Sequence, residues 1–138
     1  MTELQKLVKE RGTYKSRLTI FEKFVNSLVA SLDDENKILK KEQIFDLENK
    51  IARVEEVMHD FNKVQTEIEI IDETANELQL QERELFENKY DSLVGISKAL
   101  IEDSREVEES KSLENNSNKS SYSRSGSNVS IRTGVDKR

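Results

Sequence analysis

Residues Ile38 to Leu100 read ILKKEQIFDLENKIARVEEVMHDFNKVQTEIEIIDETANELQLQERELFENKYDSLVGISKAL, with no proline and Gly95 as the only glycine. Apolar side chains recur three and four residues apart, at Ile44, Leu47, Ile51, Val54, Met58, Phe61, Val64, Ile68, Ile71, Ala75 and Leu78. That spacing draws one narrow apolar stripe along a helix, with Glu, Lys, Asp and Asn on the other faces. A helix of this length spans about 95 Å at 1.5 Å per residue, more than one globular core covers. It needs a partner.

The stretch before it supplies one. Between Thr2 and Leu32, alternate steps of three and four fall on Leu4, Leu7, Arg11, Tyr14, Leu18, Phe21, Val25, Leu28 and Leu32, and all but Arg11 are apolar or aromatic. Thr2 is the expected N-cap, with Gln5 completing a weak capping box. Gly12 costs this helix about 1 kcal/mol relative to Ala, which points to a close partner backbone or a slight bend. Asp33-Asp34-Glu35-Asn36-Lys37 interrupts the pattern, and Asp33, Asp34 or Asn36 is suited to cap the second helix. So short a connection favours an all-α, antiparallel helical hairpin or coiled coil over an unbroken rod. Its short helix covers about residues 2–32 and its long helix about 36–104. Leu18, Phe21, Val25, Leu28, Ile51, Val54, Phe61 and Ile68 are the expected packing residues.

The two helices are unequal. The shorter reaches about 45 Å and covers the longer only as far as Ile68. Beyond it lie Ile71, Ala75, Leu78, Leu85, Phe86, Leu93, Ile96 and Leu100, whose burial is worth on the order of 10 kcal/mol gross. A second protomer would cover this overhang, or the helix would break at the polar window Glu73–Glu77 and fold back as a three-helix bundle. That window lacks Pro and Gly, so the sequence favours self-association, through Leu78, Leu85, Phe86, Leu93 and Ile96. The steps Met58–Phe61–Val64 are two consecutive threes, a local phase shift in the stripe.

Composition limits function. Only 34% of residues are hydrophobic while 36% are charged, which suits helices joined along thin seams. With Cys absent, disulfides and thiol chemistry are excluded. No apolar run approaches the length of a membrane span and no signal-like segment opens the chain, so a cytoplasmic setting is expected, with a nuclear one left open. Residues 111–138 carry six basic and two acidic side chains (+4), which leaves −10 of the net −6 for residues 1–110. So acidic a body repels phosphate backbones. Nine of residues 110–138 are serine, and this segment reads as a disordered, mildly basic tail appended to a helical domain over 1–109. The tail is the one place where nucleic acid binding stays open. His59 is the only histidine, Glu55 and His59 make at most two metal ligands, and no serine sits in a glycine-rich elbow. No catalytic constellation, cofactor site, metal site or small-molecule substrate is expected. The expected partner is a second copy or another coiled-coil protein.

Three segments resemble a known family. Leu7 to Leu28 (LVKERGTYKSRLTIFEKFVNSL), Leu47 to Glu69 (LENKIARVEEVMHDFNKVQTEIE) and Phe86 to Leu93 (FENKYDSL) are similar to the N-terminal coiled-coil region of Gag-like polyproteins of BEL/Pao-type LTR retrotransposons. The resemblance covers about residues 4–100 and implies a non-enzymatic assembly element. The prolines that open the next Gag domain in that family are missing around Ser127–Arg132, as are a zinc knuckle and a protease, so a truncated copy or a fragment is expected. The alternative is a cellular coiled-coil adaptor or tether with a phosphorylatable Ser-rich tail.

Overall fold

The computed structural model describes residues 1–32 and 37–115, with side chains as far as Ser110. The expected capping turn at Asp33–Asn36 and all but the first residues of the expected disordered tail lie outside the described residues. The elements are α1 (Glu3–Ser31), α2 (Lys41–Ile71), a 3-10 turn (Glu73–Ala75) and α3 (Asn76–Asn115), with no strand among the described residues. The chain divides into two units, Met1–Ser104 and Arg105–Arg138, and the packed core lies in the first. In the second, helix continues to Asn115, past the expected end near residue 104.

α1 starts with the expected capping box: Gln5 N–H donates to Thr2 Oγ1 (3.1 Å) and Thr2 N–H to Gln5 Oε1 (2.9 Å). All nine of its seam positions are buried or half-buried, Arg11 among them. α2 starts at Lys41, later than the expected 36. Leu39 is drawn into the core at 4% exposure and its N–H donates to Ser104 Oγ at 2.8 Å, so Lys37–Lys40 stay outside the helix. Lys40 N–H then donates to Gln43 Oε1 at 2.8 Å, satisfying an otherwise orphan group. α1 and α2 run antiparallel, with Arg11 bonded to Gln65 and Phe24 beneath Lys50. The α2 seam passes through Val57, while Met58 is half-buried, so the two consecutive threes fall at Ile51–Val54–Val57.

The antiparallel hairpin is therefore present, but the stretch expected as one long helix is divided at Asp72. Ile68 is the last fully buried residue of α2, and Ile70 and Ile71 are 66% and 46% exposed. Asp72 leaves helical geometry (φ −99°, ψ 59°), and its carbonyl accepts from Ala75 N–H at 3.2 Å. α3 then returns antiparallel to α2. The Phe61 and Phe86 rings stack with centroids 3.7 Å apart, and Glu69 and Glu55 of α2 meet Arg83 and Lys98. Along α1 it runs parallel, with partners 67 to 70 residues apart: Arg11 with Gln79, Lys15 with Glu82, and Thr19 with Lys89. The overhang thus folds back as a third helix, which buries Phe86 and Leu93 against α1 and α2 and leaves Leu78, Leu85 and Ile96 exposed.

Magnitudes explain the break without Pro or Gly. Folding back buries Phe86, Leu93, Val94 and Ile101, each worth about 1.5–3 kcal/mol. Interrupting the helix forfeits a few backbone hydrogen bonds at about 1 kcal/mol net each. Burial wins. Two small residues let α3 pack closely: Ser97 and Ser104 are buried, and their hydroxyls donate to Leu93 O (2.8 Å) and Leu100 O (2.7 Å).

Gly12 does not mark a close approach, since nothing lies within 4 Å of where its Cβ would stand. A methyl group there restricts the unfolded chain and meets no neighbour. Gly12→Ala is expected to stabilise the fold by about 1 kcal/mol in urea denaturation. A loss of stability would show that the helix needs glycine at this point.

Candidate interaction surfaces

One polar layer joins all three helices. Arg11 Nη1 donates to Gln65 Oε1 (3.0 Å) on α2 and to Gln79 Oε1 (2.7 Å) on α3. Gln65 Nε2 donates to Gln79 O (2.9 Å) and to Glu69 Oε2 (3.1 Å), and Gln79 Nε2 donates to Asp72 Oδ2 (3.0 Å). Gln65 is fully buried, and Arg11 and Gln79 are each 8% exposed. Every amide in the layer has a partner, which buried polar groups require. The last link, to Asp72, ties the layer to the turn itself.

Beside it, Arg83 clamps the α2–α3 pair. Its Nε donates to Glu69 Oε2 (2.9 Å), Nη2 to Glu69 Oε1 (3.2 Å) and Nη1 to Asn62 Oδ1 (3.0 Å). This forked hydrogen bonding holds the Glu69 carboxyl below its ordinary value, with burial opposing and Gln65 assisting.

The eight expected packing residues, Leu18, Phe21, Val25, Leu28, Ile51, Val54, Phe61 and Ile68, lie in the core. The five expected self-association residues divide. Phe86 and Leu93 are buried against α1 and α2 because α3 folds back, which removes them from any surface. Leu78, Leu85 and Ile96 remain 63%, 69% and 45% exposed.

Leu78 and Leu85 mark an outward face of α3, with Ile96 beside it. Steps of three and four along it run Leu78, Gln81, Leu85, Asn88, Ser92, Gly95 and Ala99, all exposed and none charged. In a chain with 36% charged residues, a coiled-coil seam free of charge for three heptads is a pattern of its own. Its first half is large and its second half small.

His59 is exposed, and the Glu55 carboxylate lies 3.7 Å from Lys98. Among the described residues no group of three or more His, Cys, Asp or Glu is placed to hold a metal, and no helix is long and apolar enough to cross a membrane. Comparison with protein-family models, curated proteins and solved structures gives no match for this chain.

Substitutions in the polar layer and the clamp test both. Arg11→Met leaves Gln65 Oε1 buried without its donor and is expected to cost about 2–3 kcal/mol in chemical denaturation. Adding Gln65→Leu and Gln79→Leu removes the orphans and restores most of that loss. If the single and triple variants are equally unstable, the layer is not a coupled unit. For Glu69, a folded-state value below the unfolded one means stabilisation that is complete above the unfolded value of about 4.3. It is lost as pH falls through the lower folded value. Glu69→Gln is expected to flatten the acid limb of stability against pH, and an unchanged limb would refute the assignment.

Proposed function

We propose that the chain is a non-enzymatic assembly module that associates with a second copy through the uncharged outer seam of α3. That exposed seam carries the reading. Leu78 and Leu85 are large, apolar and on one face, and nothing among the described residues covers them. The seam is also complementary to itself. In a two-fold antiparallel pairing, Leu78 and Leu85 of one copy face Ala99 and Ser92 of the other, and the two Asn88 amides meet at the axis. The resemblance to a Gag-like coiled-coil region supports the same reading.

The interaction is weak on these terms. Leu78 and Leu85 are the only large apolar side chains in the seam, so little apolar area leaves water. On one flank of the seam Glu84 opposes Asp91 across the two-fold while Glu77 faces Lys98, so repulsion and attraction offset. Sedimentation equilibrium is expected to show mass rising towards a dimer in the range of roughly 0.01–1 mM. Leu78→Asp with Leu85→Asp is expected to give a monomer of unchanged helicity by circular dichroism. A wild type that stays monomeric, or a double variant of unchanged mass, would contradict the proposal.

A further inference from the structure

A second surface lies on the α1–α2 pair, and α3 contributes nothing to it. Between these helices runs a groove of about 260 Å³. Ile20, 66% exposed, and the half-buried Phe24 form one apolar wall, and Val57 lies at the base. The rim is cationic: Arg17 from α1, and Lys50 and Arg53 from α2. Among the described residues no acidic side chain lines the groove, although residues 1–110 carry −10.

The cations are only partly occupied. Lys50 lies 4.6 Å over the Phe24 ring and 3.2 Å from Asp46. Arg17 rests 5.9 Å from the Tyr14 ring, and neither Arg17 nor Arg53 forms an ion pair among the described residues. Arginines left over apolar side chains, with their forks unused, are suited to carboxylates that arrive with an apolar partner.

We propose that this groove docks an acidic amphipathic helix of a partner protein. Two antiparallel helices leave a lengthwise furrow whose matching filler is a third helix, with apolar anchors three and four residues apart. Such a helix sets one apolar row against Ile20 and Phe24. Its flanking carboxylates then reach Arg17 on one wall and Arg53 on the other. The same charge balance disfavours extended polyanions: three cations give local attraction, but a membrane surface or a nucleic acid also meets the surrounding negative body. The surface is separate from the α3 seam, so this proposal does not depend on self-association.

The test uses the full chain and labelled synthetic peptides in fluorescence anisotropy. One peptide is a helix with Leu at every third and fourth position and Glu elsewhere, and a second has Lys in place of Glu. The acidic peptide is expected to bind, more weakly as salt rises, and the basic peptide not to bind. Arg17→Glu with Arg53→Glu, and separately Ile20→Glu, are expected to weaken binding at least tenfold with helicity unchanged. Equal binding of both peptides, no binding of the acidic one, or indifference to the substitutions would overturn the proposal. Preferential binding to phosphatidylserine vesicles would also overturn it, in favour of a lipid surface. Mass that falls on Arg17→Glu with Arg53→Glu but not on Leu78→Asp with Leu85→Asp would instead assign the groove to a second copy.

Discussion

The guanidinium of Arg11 leaves α1 and reaches Gln65 of α2 and Gln79 of α3 at 3.0 and 2.7 Å, and this contact sets the arrangement of the other helices. Apolar seams with three- and four-residue spacing tolerate displacement by a heptad, because Leu and Ile repeat at each turn. A buried guanidinium between two amides does not. Slipping any helix by one turn leaves a donor or acceptor inside the core without a partner, at about 1–3 kcal/mol for each orphan. Register therefore rests on one polar layer, while the bulk of the stability comes from the apolar residues above and below it.

The turn between α2 and α3 depends on the same layer. Asp72 has neither glycine nor proline beside it, yet the helix ends there. Its carboxylate accepts from Gln79, which in turn accepts from Arg11, so the break connects directly to α1. Arg83 adds a second connection one turn further along α3. Once the chain reverses, Phe86 stacks on Phe61 and the remaining apolar face of α3 is buried. The surfaces left outside are a neutral stripe on α3 and a cation-rimmed groove on α1 and α2. Both are by-products of how three thin seams close, and both are the surfaces proposed to meet partners.

Helices, seams and the capping box at Thr2 were legible because they depend on local spacing. So was the position of the break, which the polar window Glu73–Glu77 indicated to within a residue or two. Its consequence was harder to read. Without Pro or Gly a continuous helix is the natural expectation; burial of the apolar face of α3 overrides it, in a register set by Arg11 with Gln65 and Gln79, 54 and 68 positions away in the chain. Arg11 was the visible clue, the one charged residue on an otherwise apolar seam. Gln65 and Gln79 carried no such signal, because glutamine is common on solvent-facing helix surfaces. The outer seam of α3 was partly visible in Leu78 and Leu85. Phe86 and Leu93 shared the same spacing but belong to the core once α3 folds back.

The reversal at Asp72 is the claim on which the rest stands, and a distance across it tests it most directly. With no native cysteine, Glu55→Cys with Lys98→Cys accepts a pair of spin labels without side reactions. Glu55 and Lys98 face each other across α2 and α3, their charged atoms 3.7 Å apart. Packed helices lie about 8–10 Å apart, so pulsed electron paramagnetic resonance should give a narrow distribution on the order of 20 Å. A continuous helix would hold the labels about 65 Å apart, and that distance would contradict the three-helix arrangement.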